Sequence, residues 1–135
     1  MNKITAIPLT LRLILIISMS AFLSCEKEPG FGGLAEINGK VYVFDYNPEG
    51  VLVAEGYTGD IEVFLSVDGQ PGVLERVRTD FDGSYRFREL RKGTYNIWVF
   101  SDCDKCTDNK EPILQKTIVS SNRQKISLED FRIRL

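Results

Sequence analysis

Cys103 and Cys106, three residues apart, carry the strongest intrinsic chemistry of any side chains in this 135-residue sequence. A C-x-x-C pair can exchange disulfides or supply half of a zinc site. Nothing else in the chain completes either use. There is no histidine, no second C-x-x-C, and no helix start after the pair to lower a thiol pKa. Outside the cytoplasm such a pair favours a disulfide over two free thiols or metal work. Cysteines at this spacing in a tight turn can meet the Cα separation of about 4.4–6.8 Å that a bridge requires. Around them lie Asp102, Asp104, Asp108, Asn109 and Glu111. Acidic oxygens suit Ca²⁺, but the spacing departs from D-x-D-x-D-G and no glycine makes the sharp turn. A solvated strand connection is expected, with no metal and no cofactor. Lack of histidine also removes the commonest general base. No Ser/His or paired-carboxylate set converges at motif spacing, so the sequence reads as a non-enzyme.

Two other groups of side chains could bind rather than react. Arg76 and Arg78 precede the turn Asp80-Phe81-Asp82-Gly83, and Arg86 and Arg88 follow it. Pairing Thr79 with Tyr85 across that turn would set Arg78 opposite Arg86 and Arg76 opposite Arg88. Like charges directly opposite destabilise a sheet. Glu62 or Glu89, solvent screening, or an anionic ligand such as an acidic glycan or lipopolysaccharide phosphate would then compensate. Tyr42, Phe44, Phe64, Trp98 and Phe100 alternate with aliphatic residues and fall on the opposite strand faces. Aromatics on an outer face stack on sugar rings or bury in a protein interface. The alternatives are inverted faces, or a covering flap made by residues 51–57.

These groups must be positioned by strands. Period-two alternation and turn residues divide the chain into about seven: residues 37–46, 61–67, 73–79, 84–90, 95–102, 113–119 and 125–133. Asn47-Pro48-Glu49-Gly50 and Asp68-Gly69 are breaks, since proline cannot donate to a ladder and glycine tolerates positive φ. Short strands with turn signals every eight to twelve residues predict an all-β sandwich. The strongest hairpin signal is residues 79–87, with Gly83 at the left-handed exit.

The N-terminus says where such a domain would work. Lys3 and Arg12 precede an apolar run at residues 13–23, and Ser24-Cys25 closes it. Eleven residues are short of the roughly 20 that span a bilayer. The pattern is that of a secretory signal peptide. With a cysteine directly after the cut it resembles a bacterial lipoprotein signal, which implies cleavage after residue 24 and acylation of Cys25. Two or three acyl chains hold a protein almost permanently at a membrane. Glu26-Lys27-Glu28-Pro29 and Gly30-Phe31-Gly32-Gly33 resemble the acidic, flexible tether of Bacteroidota lipoproteins. The expected organisation is a leader at 1–24, a lipidated tether at 25–35 and one domain at 36–135. Removing the leader takes away two bases and leaves 15 basic against 19 acidic residues. That balance argues against nucleic acid as a partner.

The stretch T-D-x-x-G-x-Y-x-F-x-x-L-x-x-G-x-Y-x-I-x-V, from Thr79 to Val99, resembles the carboxypeptidase regulatory-like domain. It is also similar to the collagen-adhesin B-type repeat, and Gly39-Lys40-Val41 looks like the family's opening Gly-x-Val. The resemblance implies a seven-stranded transthyretin-like sandwich with Greek-key connections. It implies a spacer or binding module rather than an activity. The expectation is therefore an outer-membrane lipoprotein, on the periplasmic face or the cell surface. Its job would be structural or adhesive, binding glycans or a partner protein. The rival is a subunit of a nutrient-uptake complex or fimbria that uses the outer aromatics as interface.

Overall fold

A computed structural model of the chain describes residues 27–135. The leader and Cys25 lie outside those residues. Nine strands form among the described residues: β1 (Phe31–Tyr46), β2 (Leu52–Tyr57), β3 (Glu62–Val67), β4 (Glu75–Arg78), β5 (Ser84–Leu90), β6 (Gly93–Asp102), β7 (Lys110–Val119), β8 (Lys125–Ser127) and β9 (Phe131–Arg134). They build two sheets, and the all-β architecture expected from alternation is the one adopted.

β1 is the spine of the first sheet. Its N-terminal half pairs antiparallel with β5, Ile37 opposite Phe87, and its C-terminal half with β2, Tyr42 opposite Tyr57. β8 and β9 run parallel to β1, Ile126 beside Ile37 and Ile133 beside Val43. The second sheet is antiparallel in the order β4-β3-β6-β7. Alternate residues turn inward from both sheets. Ile37, Val41, Val43, Phe87, Phe131 and Ile133 of the first meet Val63, Leu65, Tyr95, Ile97, Val99 and Val119 of the second. Each fully buried side chain of this size contributes roughly 1.5–3 kcal/mol relative to exposure.

Four features differ from the seven-strand expectation. Residues 52–57 form an edge strand beside β1, so they flank Tyr42 instead of covering it. The expected last strand divides because Ser127 pairs with Asn38 and Phe131 with Val41, four steps against three. β1 begins at Phe31, inside the stretch expected as tether. There Phe31 and Ala35 both pair with Leu90, and a Cβ on Gly33 would sit 1.9 Å from the Leu90 carbonyl oxygen. Glycine is required at that crossing for close approach, not for flexibility.

The fourth difference corrects the hairpin. Residues 79–83 carry the chain from one sheet to the other, because β4 pairs with β3 and β5 with β1. The turn itself is as the residue types predict: Gly83 has φ +77°, and its N–H donates to the Asp80 carbonyl at 2.8 Å. Asp82 caps the exit by accepting from the Ser84 N–H and hydroxyl at 3.0 and 2.6 Å. Thr79 fixes the departure point. Its buried hydroxyl donates to the Thr58 carbonyl and accepts from the Ile61 N–H.

Candidate functional site

Sending β4 and β5 to different sheets overturns the expected arginine pairs. Arg78 lies opposite Glu62 and Arg76 opposite Phe64, both on β3. The Arg78 guanidinium donates to Asp60 at 2.5 Å and to Glu62 at 3.1 Å, and Arg76 stands 3.4 Å from Glu62. Arg86 lies opposite Asn38 and 4.0 Å from Glu36. With Arg88, Lys40, Asp80 and Asp130 it borders a polar cleft of about 510 Å³ on the first sheet. The like-charge conflict never arises, and the four arginines do not form one anion site. Carboxylates on neighbouring strands neutralise three of them.

The aromatic residues keep their expected faces but divide between the sheets. Tyr42 and Phe44 lie outward on β1. Tyr42 packs edge-on to Tyr57, with centroids 5.1 Å apart, and Arg132 lies over its ring at 5.7 Å. Arg134 covers Tyr46 at 4.7 Å, and Lys40 covers Tyr57 at 4.9 Å. Asp130 accepts the Tyr57 hydroxyl at 2.5 Å, which raises that phenol above its ordinary pKa range. This face is an aromatic row already occupied by its own cations.

The second sheet presents the open one. Phe64 and Trp98 are direct cross-strand partners and stack 5.5 Å apart, 12° from parallel. Phe100 meets Phe64 edge-on at 5.6 Å. Register places Leu114 of β7 opposite Trp98, so Arg76, Phe64, Trp98 and Leu114 form one row across four strands. Leu114 is 58% exposed and Phe100 42% exposed. Below Phe64 and Phe100 opens a cleft of about 420 Å³, also lined by Asp60, Glu62, Lys110 and Ile133. Neighbouring rings hold each other in place, since such pairs are worth about 0.5–1.5 kcal/mol beyond their burial. The result is an apolar aromatic platform, with Phe64 and Trp98 half-buried and Phe100 exposed, and with carboxylates and a cation at its margin.

The cysteines are joined, with Cα atoms 5.5 Å apart. Their loop closes on the β6–β7 ladder: the Cys103 N–H donates to the Asn109 carbonyl, and the Asn109 N–H to that of Cys106. Two of the surrounding carboxylates are engaged by cations, Asp102 by Lys110 and Asp104 by Arg134. Glu111 lies within 4.8 Å of both sulfurs, but in the disulfide those atoms offer no thiolate to a metal. Closing so short a loop restricts the unfolded chain by only about 2 kcal/mol. A Cys103→Ser chain is accordingly expected to lose about that much stability, and wild type under reductant to match it. An unchanged urea midpoint on reduction would show that the bond constrains nothing.

Sequence reasoning missed Leu114 as part of the platform, because its place depends on the β6–β7 register. It also missed the role of Tyr95. The Tyr95 ring is fully buried in the core. Its hydroxyl also accepts from the Gly30 N–H at 2.9 Å and donates to the Arg91 carbonyl at 2.8 Å.

A two-sheet, all-β domain with one open aromatic face is the class that fold and site define. No family model matches the chain, and neither does any curated protein. Among solved structures it is similar to a "putative carbohydrate binding protein" from Pseudomonas aeruginosa, at 20% identity and a TM-score of 0.44 over 72% of this chain and 88% of that one. It is also similar to an (S)-allantoin synthase, at 9% identity and a TM-score of 0.43 over 74% of this chain. The chain spans 42% of that enzyme's length.

Proposed function

We propose that this chain is a non-enzymatic lipoprotein of the bacterial envelope whose Phe64, Trp98 and Phe100 face binds a glycan. In this reading Cys25 carries the acyl chains, and the sandwich follows the transthyretin-like, Greek-key pattern its motif resembles. The observation that carries the binding role is the near-parallel stack of Phe64 and Trp98 on an outer sheet face. A pyranose ring has an apolar C–H face that matches such a platform, while its hydroxyls need partners at the edge. Asp60, Glu62 and Lys110 stand there.

The test is a glycan array followed by titration of whatever binds. Trp98→Ala is expected to weaken binding at least tenfold while leaving the fold intact, because Trp98 points away from the core. Equal binding by wild type and Trp98→Ala would refute the platform. One observation favours a protein partner instead: Leu114 and Ile118, 58% and 64% exposed on this face, extend the apolar surface beyond one sugar ring. A face that ignores every glycan yet holds an envelope protein through those two residues is the rival outcome.

A further inference from the structure

The end of the sandwich where the chain enters has its own chemistry. Pro29 packs against Gly93, where an added Cβ would meet the proline ring at 2.5 Å. The Arg91 N–H donates to the Gly30 carbonyl at 2.8 Å, and the Tyr95 hydroxyl grips both segments. Residues 29–33 are therefore fastened onto the β5–β6 turn. The Arg91 side chain lies over Gly32, whose added Cβ would stand 2.7–3.2 Å from three atoms of the guanidinium group. Its Nε is buried and has no partner. Among the described residues its terminal nitrogens donate to no protein atom and pair with no carboxylate. Lys27 and Lys92 join Arg91, Gly32, Gly33, Leu34 and Asn122 around a cleft of about 430 Å³ that, among the described residues, no carboxylate lines.

We propose that this cleft is an oxyanion site for a phosphate group. A guanidinium held in one plane and left without a carboxylate is suited to bidentate phosphate recognition, with the two lysines adding point charges. Its placement favours a lipid headgroup as the source of the phosphate, a step that rests on the Cys25 tether. Three residues separate Cys25 from Pro29, and the four Cα–Cα steps between them span at most about 14 Å. An acylated Cys25 would thus hold the basic cleft, beyond the two glutamates of the tether, against the bilayer surface, within reach of the field of anionic lipids. The Trp98 platform belongs to a different face and is not involved.

The experiment uses the non-acylated chain from Cys25 onward, which contains every described strand, labelled with ¹⁵N. Adding inorganic phosphate is expected to move the Arg91 Nε–H resonance and the Gly32 and Gly33 backbone amide resonances to saturation, and Arg91→Gln to weaken the response of those two amides at least tenfold. Vesicles of phosphatidylglycerol should bind wild type at least fivefold better than Arg91→Gln, and phosphatidylcholine vesicles should bind neither. A response to phosphate without vesicle binding would support the site and assign it to free phosphate. A stationary Nε–H resonance, with equal binding of wild type and variant to phosphatidylglycerol, would overturn it. Should Arg91→Gln fail to fold, the exposed Lys92→Gln serves, with a loss of about twofold supporting the site and no loss counting against it. Mass spectrometry that finds Cys25 unacylated in cells would remove the tether reading and leave the phosphate response standing.

Discussion

Phe87→Ala is expected to cost about 3–5 kcal/mol and to leave much of the chain unfolded at 37 °C. Phe87 is fully buried, pairs with Ile37 across β1 and β5, and packs its ring against Tyr85 at 5.9 Å. It stands on the inner face of the first sheet, where a truncated side chain leaves a void that the paired backbone cannot close. A domain of this size has a total stability of about 5–15 kcal/mol, so one such cavity consumes a large share of it. The urea midpoint, followed through the single tryptophan, should fall by about 2 M. Phe81 supplies the internal comparison. It lies six residues away in the same motif but is 92% exposed, and Phe81→Ala should change stability by no more than about 0.5 kcal/mol. A loss below 1 kcal/mol in Phe87→Ala would mean that the two sheets do not meet there.

The contrast between Phe81 and Phe87 shows which level of structure the sequence carries. Alternation put Tyr85 and Phe87 on one shared face and Trp98, Phe100, Tyr42 and Phe44 outward, because the side-chain direction within one strand is a local property. It could not say that Tyr42 and Trp98 belong to different sheets. Residues 79–83 have the same turn chemistry whether they close a hairpin or lead across the core, so the arginine pairing was drawn on the wrong neighbour. Only the nonlocal match of Val77 to Val63 and of Phe87 to Ile37 decides it. β2 was hidden for another reason. Residues 51–54 are continuously apolar yet exposed, so they carry no alternation to detect. The glycines at 30–33 misled in the opposite sense. Composition suggests a loose linker, whereas Gly33 is there because the Leu90 carbonyl leaves no room for a side chain.

Gly39 makes the same demand where the polar cleft meets the core, and Gly39→Val is expected to destabilise the chain by about 1–3 kcal/mol through overpacking. A Cβ there would lie 2.5 Å from the Tyr85 hydroxyl oxygen and 2.8 Å from the ring carbon bearing it. Tyr85 cannot easily yield, since it is 4% exposed and held between Phe87 and Phe131. Its hydroxyl is buried without a partner, so Tyr85→Phe should be neutral or stabilising by about 1 kcal/mol. In that background Gly39→Ala should cost less than in wild type, because the nearest atom is gone; equal costs would mean the ring does not lie over Gly39. Alkaline titration tests the burial separately. Burial raises the Tyr85 pKa, so the folded chain keeps this proton at pH values where the unfolded chain has lost it. The contribution is intact below about pH 10 and declines above it by up to about 1.4 kcal/mol per pH unit. Tyr85→Phe should flatten that decline, and Tyr95, also raised by burial, remains in both chains and cancels from the difference. Identical alkaline slopes would mean that the Tyr85 hydroxyl reaches water through the Lys40 and Arg88 cleft it borders.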